Sequence, residues 1–189
     1  VTYTQSGGAV NICAAGGCTV APSFGLTGGT GVVTKMSGGT INLVQANSGS
    51  PDYNQTGTMV YSGGTLNVGT AATATNFLFR VQGQAPNVVV DNTTNAKTMN
   101  LTGQLNVWGN LTINTGTSVN VNPGTATTLL QIGPTITNNG SIVTNTNNSG
   151  TVNFAGSLQA LGGGYAQSYT GTGTFGTGSL RLATFSAQS

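Results

Sequence analysis

Short segments in which apolar and polar residues alternate recur along the chain. Six of them place Asn between two apolar residues, and a seventh, at 111–113, has Thr in that position. Successive side chains of a β-strand point to opposite faces, so this alternation predicts short strands with the apolar pair buried and Asn outside. The six are Val10-Asn11-Ile12, Ile41-Asn42-Leu43, Leu66-Asn67-Val68, Leu105-Asn106-Val107, Val119-Asn120-Val121 and Val152-Asn153-Phe154.

The spelling of two of these segments is almost the same. SGGTINLV occupies residues 37–44 and SGGTLNVG occupies residues 62–69, so Ile41 and Leu66 stand 25 positions apart. Recurrence on this scale, with several short strands in each repeat, predicts a parallel β-solenoid in which like residues stack on like. An antiparallel sandwich would explain the alternation equally well, but it would not explain the repeated spelling. No stretch has the apolar spacing of a helix, so we expect an all-β chain with little or no α-helix.

Charge is almost absent, at 3% of residues, against about 25% in ordinary globular proteins. A net charge of +2 over 189 residues makes no basic stripe for nucleic acid and no patch for a membrane surface. We therefore expect neither nucleic-acid binding nor membrane insertion. The six charged residues are Lys35, Arg80, Lys97, Arg181, Asp52 and Asp91.

The same composition argues against an enzyme. Glycoside hydrolysis needs a pair of carboxylates, and only Asp52 and Asp91 are present, both in stretches that resemble solvated turns. The chain has no His, so a Ser nucleophile would lack its usual base. We expect no catalytic residues, no metal site and no cofactor.

Cys13 and Cys18 are the only cysteines. Without further Cys or His they do not complete a zinc site. We expect a local disulfide that clamps a Gly-containing turn in an oxidising compartment, and two free, small hydrophobic residues remain the alternative.

Trp108 is the one residue that suggests a binding contact. It follows Val107, so alternation points it outward, where it could stack on a sugar ring, or into a corner, where it would cover the turn before Gly109. A Thr-x-Thr array at Thr170, Thr172 and Thr174 suggests an ice-binding face, but along the sequence it is only local.

The sequence from residue 57 onward resembles a known group. GTMVYSGGTLNVGTAATATNFLFRVQGQAPNVVVDNTTNAKTMNLTGQLNVWGNLTIN and the later AQSYTGTGTF are similar to the β-helical repeat regions of large cell-surface proteins that Bacteroidetes secrete by the type IX system. The resemblance covers most of residues 36–176. It implies a right-handed parallel β-helix, export, and a setting of adhesion, gliding or an extracellular fibre. Neither the export signal nor the sorting domain of that group is found, which suggests an internal segment or a processed form.

These observations predict one β-solenoid segment over residues 1–189, with repeat-like rungs at 36–189 and a less typical part, with the cysteine pair, at 1–35. We expect a structural or adhesive segment of a secreted bacterial cell-surface protein, a stiff and neutral stalk or fibre element. A carbohydrate-binding module that uses Trp108 is the alternative, with an ice-binding solenoid behind it. Neither terminus resembles a cap, so we expect neighbouring repeats of a longer chain, or further copies stacked head to tail, as partners, besides a surface polysaccharide.

Overall fold

A computed structural model describes residues 1–14, 23–29, 31–47, 51–74, 77–121, 128–143, 151–154, 168–176 and 179–182. None of these residues lies in a helix, and they form eighteen strands. The strands are β1 (Thr2–Gln5), β2 (Ala9–Ile12), β3 (Phe24–Leu26), β4 (Val33–Leu43), β5 (Tyr53–Gln55), β6 (Thr58–Val68), β7 (Leu78–Ala85), β8 (Asn87–Val90), β9 (Thr98–Val107), β10 (Leu111–Ile113), β11 (Ser118–Asn120), β12 (Leu129–Ile132), β13 (Thr135–Asn138), β14 (Ser141–Val143), β15 (Thr151–Phe154), β16 (Ser168–Thr170), β17 (Thr174–Phe175) and β18 (Ser179–Leu182).

The strands form two sheets in which every pairing is parallel. One sheet contains β1, β2, β4, β6, β8, β10, β13 and β16, and the other contains the remaining ten strands. Paired residues are separated by between 20 positions, as from Thr98 to Ser118, and 33 positions, as from Thr135 to Ser168. This is the register of a parallel β-solenoid, which confirms the predicted fold class and excludes the antiparallel sandwich. The right-handed coiling that the resemblance implies stays a prediction.

Each coil of the chain contributes up to three strand segments, which we call first, middle and last. First segments run at 2–5, 33–36, 58–61, 83–85, 105–107, 129–132, 151–154 and 179–182. Middle segments run at 9–12, 40–43, 65–68, 87–90, 111–113, 135–138 and 168–170. Last segments run at 24–26, 53–55, 78–81, 98–101, 118–120, 141–143 and 174–175. Their register shifts once, because 53–55 pairs with 81–83 whereas 78–81 pairs with 98–101. The long strands β4, β6, β7 and β9 each carry the chain through a corner from one segment into the next.

The core lies where the alternation predicted it. Eight apolar residues from four of the six segments are fully buried and belong to one continuous cluster: Ile41, Leu43, Leu66, Val68, Leu105, Val107, Val119 and Val121. Val10 and Ile12, in the first coil, are partly buried. The asparagines between them are partly exposed: Asn42, Asn67, Asn106 and Asn120. Outward amides also bond along the axis, since Asn67 Nδ2 donates to Asn42 Oδ1 at 2.7 Å and Asn42 Nδ2 donates to Asn11 Oδ1 at 2.7 Å. The predicted core and its phase are confirmed.

The repeated Ser-Gly-Gly has a steric cause. β4 stacks directly on β6, so Ile41 lies beside Leu66. A Cβ on Gly63 would lie 2.5 Å from the carbonyl oxygen of Ser37, and a Cβ on Gly38 would lie 2.5 Å from that of Ser6. The corner therefore admits only glycine, because the backbone of the preceding coil occupies the space of a side chain. Ser6-Gly7-Gly8 is a third copy of the motif.

The less typical residues 1–35 also join these ladders. They supply β1, β2 and β3, and Tyr3 and Phe24 pack against the core. Phe24 stacks on Tyr53 with ring centroids 5.4 Å apart and meets Tyr3 edge to face at 5.7 Å. The core of the first two coils is therefore partly aromatic. That residues 1–189 form one unit stays a prediction.

Candidate functional site

One ladder is interrupted inside an otherwise regular solenoid. Neighbouring first segments pair throughout the described residues, except that no pairing joins 58–61 to 83–85. The middle segments of the same two coils remain paired, with Leu66 beside Val88. The first segments belong to one sheet before this point and to the other sheet after it. The break is therefore confined to one side of the solenoid, between the third coil and the fourth.

A buried hydroxyl replaces part of the missing pairing. Tyr53 is fully buried, and its hydroxyl donates to the backbone carbonyl oxygen of Gln84 at 2.6 Å. Burial, and to a smaller extent the neighbouring Tyr3, raises the pKa of Tyr53 far above its ordinary value, so the hydroxyl keeps its proton. Gln84 O thus receives from the core a hydrogen bond that a neighbouring strand would otherwise donate.

The interruption leaves two adjoining hollows on the surface, which we call the cleft. One has a volume of about 450 Å³, and its lining includes Thr56, Thr58, Met59, Gln84 and Trp108. The other, of about 370 Å³, has a lining that includes Thr56, Gln82, Gln84, Gln104 and Asn106. The two hollows meet at Thr56 and Gln84, and no charged residue lines either of them among the described residues.

Trp108 stands at this break. Its backbone N–H donates to the carbonyl oxygen of Ala85 at 2.9 Å, and its indole Nε1–H donates to Gln84 Oε1 at 2.6 Å. The side chain is half-buried and lines the larger hollow. Trp108 therefore lies beside the cleft with its indole N–H engaged by Gln84. A glycan contact at Trp108 stays a prediction.

The glutamine amides of the cleft are held in fixed orientations. Gln84 Oε1 accepts the indole N–H of Trp108, and Gln82 Oε1 accepts the hydroxyl of Thr102 at 2.9 Å. Each oxygen is thereby engaged, and neither Nε2 group has an acceptor among the described residues. Gln104 differs, because its Nε2 donates to Asn106 Oδ1 at 2.8 Å and to Gln131 Oε1 at 2.9 Å. The cleft therefore offers two orientated amide donors, Gln82 and Gln84.

The expectation that Asp52 is a solvated turn carboxylate is wrong. Asp52 is fully buried, and it accepts the backbone N–H groups of Arg80, at 2.7 Å, and of Asn47. Burial raises the pKa of Asp52, although these two hydrogen bonds and the charge of Arg80 work in the opposite direction. A turn-like sequence gave no sign that the carboxylate folds inward to satisfy backbone donors.

Asp91 belongs to a separate network. It lies 3.3 Å from Nζ of Lys97, whose side chain is fully buried, and it accepts the hydroxyl of Thr93 at 2.6 Å. Partial burial acts to raise the pKa of Asp91, but the bonds from Thr93 and the ammonium of Lys97 prevail and lower it. The two carboxylates have different neighbours and form no pair, and the described residues contain no cluster of three potential metal ligands.

The predicted disulfide and the predicted Thr-x-Thr array concern other parts of the sequence. Cys18 lies outside the described residues, so the Cys13–Cys18 disulfide stays a prediction. The Thr-x-Thr array turns a corner, because Thr170 ends β16, Gly171 has a φ of 114°, and Thr174 begins β17. These threonines therefore do not form one flat row.

The chain matches no family model, no curated protein and no solved structure at a significant level. Within the part of the chain that the structure describes, no helix has the length and apolar character needed to cross a membrane.

Proposed function

We propose that this chain is a structural segment of a secreted bacterial cell-surface protein, a stiff and neutral stalk that holds or performs adhesion. One observation carries the proposal: among the described residues, the middle ladder runs without interruption through seven coils, and its outward positions carry no charge. They are Asn11, Asn42, Asn67, Val89, Thr112, Thr137 and Thr170.

Stiffness follows from how the coils are joined. Parallel strands stack about 4.8 Å apart, and each coil bonds to the next through backbone groups directed along the axis. Outward side chains add bonds in the same direction, as between Asn120 Nδ2 and Asn100 Oδ1 at 2.6 Å. Like charges stacked at this spacing would repel, so a nearly uncharged face favours long stacking. Bending such a rod would require many of these bonds to lengthen together.

The cellular setting rests on the resemblance to the type IX-secreted repeat regions of Bacteroidetes. Export, surface attachment and adhesion are parts of the proposal on that ground, and the scarcity of charge accords with a stalk exposed to varying salt.

Two experiments test this function. Antibodies against the chain should label intact producing cells, and labelling only after the cells are permeabilised would contradict surface exposure. Small-angle scattering of the isolated chain should give a radius of gyration that is unchanged between low and high salt, because the coils are joined by backbone bonds and not by charge pairs. A radius of gyration that changes with salt would contradict the neutral stalk.

A further inference from the structure

We propose that the cleft at the interrupted ladder is a binding site for an uncharged oligosaccharide. In a repeat architecture each coil has the same structural task, so a local departure that leaves an open, lined hollow has no role in stacking. In this chain the pairing is missing between residues 58–61 and 83–85, and the residues that line the cleft lie beside that gap.

The donors set the chemistry of the ligand. Gln84 Oε1 is held by Trp108 and Gln82 Oε1 by Thr102, so each side chain presents its NH₂ group in a fixed direction. Pre-orientated donors bind acceptor oxygens without first losing rotamer freedom. Sugar hydroxyl, ring and acetamido oxygens are such acceptors.

The apolar part of the lining matches the other side of a sugar. Trp108 lines the same hollow as Gln84, beside the almost wholly buried Met59. An aromatic face beside a few fixed polar groups suits a sugar ring, which has apolar C–H faces and polar edges. A charged sugar finds no counter-charge in the lining, so the site favours a neutral one.

A peptide strand is a poorer occupant. It would have to pair with the open edge at 58–61, but the fifth coil already approaches the third beside the opening. A Cβ on Gly109 would lie 2.5 Å from the hydroxyl of Tyr61. The opening therefore admits a ligand at its surface and not a full strand in its depth.

The chain contains a single Trp, and it lies in the cleft, so its fluorescence reports on this site alone. The probes are the neutral hexasaccharides of the cello-, chito-, manno- and laminari- series, with hexagalacturonate as the charged comparison. We expect a saturable change in Trp108 emission with at least one neutral series and none with hexagalacturonate.

Matched variants separate the site from the fold. Gln84→Glu and Gln82→Glu keep the acceptor oxygens for Trp108 and Thr102 but remove the NH₂ donors, and we expect each to weaken binding about tenfold or more. Gln131→Glu makes the same charge change two coils away in the same column of the sheet, outside the cleft, and should bind as the parent chain does.

Three results would overturn the proposal. The first is no saturable response to any neutral series. The second is unchanged affinity in Gln84→Glu and Gln82→Glu. The third is a response only to hexagalacturonate, or only to a synthetic peptide of residues 33–43, which would indicate a charged ligand or strand capture. The stalk does not depend on this outcome, since scattering and surface labelling test it separately.

Discussion

The hydroxyl of Tyr53 donates to the backbone carbonyl oxygen of Gln84 at 2.6 Å, across the place where the ladder of first segments is interrupted. Tyr53 lies in β5 and Gln84 in β7, and these strands pair from Tyr53–Val81 to Gln55–Gly83. The bond to Gln84 extends their contact by one residue, past the point where the pairing ends. A core side chain thus satisfies a backbone group that a strand edge would otherwise leave open. The backbone carbonyl of Gln84, at the edge of the cleft, therefore has a hydrogen-bond donor.

Replacing Tyr53 by Phe should destabilise the fold. Loss of the hydroxyl leaves the carbonyl oxygen of Gln84 without its donor, which costs about 1–3 kcal/mol when the group is buried. Urea unfolding followed by circular dichroism measures the change in the free energy of unfolding. The control is Tyr3→Phe, whose hydroxyl donates to Oε1 of the Gln5 side chain, and not to a backbone carbonyl, at 2.7 Å. Equal effects of the two substitutions would contradict a special role for Tyr53.

The repeated glycine offers a comparison within one motif. Gly63→Ala places a methyl group against the carbonyl oxygen of Ser37, and we expect a loss of about 1–3 kcal/mol from overpacking. Gly7→Ala changes the matching position of the first copy, where a Cβ meets no atom within 4 Å, and its effect should stay within about 0.5 kcal/mol. Thermal or urea unfolding of both variants measures the difference. Similar losses would show that contact between coils does not explain the motif.

The buried Asp52 makes stability depend on pH in an unusual direction. Its pKa is raised in the folded chain, so its contribution is fully present below the unfolded pKa of about 3.9 and is lost as pH rises through the folded pKa. The free energy of unfolding of the parent chain relative to Asp52→Asn should therefore be most favourable at low pH and decline as pH increases. Asp91, whose pKa is lowered, is present in both chains, so its contribution to the pH dependence cancels in the difference between them. A difference that grows with pH would contradict this account.

Alternation along the sequence predicted which residues point inward, because the side-chain period of a strand is a local property. It predicted Leu66 and Val68 inside and Asn67 outside correctly. It did not reveal the cleft, since whether 58–61 pairs with 83–85 depends on the neighbouring coil and not on either segment alone. The burial of Asp52 escaped for a similar reason, because its partner Arg80 stands 28 residues away. Trp108 was singled out, but its partner Gln84 was not.

The cysteine pair remains open to a chemical test. We expect a disulfide between Cys13 and Cys18, because the two stand close in sequence and the chain has no other Cys and no His to complete a zinc site with them. Alkylation of the denatured chain without reductant, followed by mass spectrometry, should modify neither thiol, and alkylation after reduction should modify both. Two modified thiols in the unreduced chain would contradict the bond and the oxidising compartment.

The central claim is that the coils stack in parallel, in the observed register, and spin-label distances test it most directly. Labels are placed at outward middle positions in a chain with Cys13→Ser and Cys18→Ser, one pair at Asn42 and Thr137 and the other at Asn11 and Thr170. The first pair spans four coil steps and the second six, so double electron–electron resonance should give distances near ~19 and ~29 Å at about 4.8 Å per step. Distances that do not grow in proportion to the number of coils would contradict the solenoid.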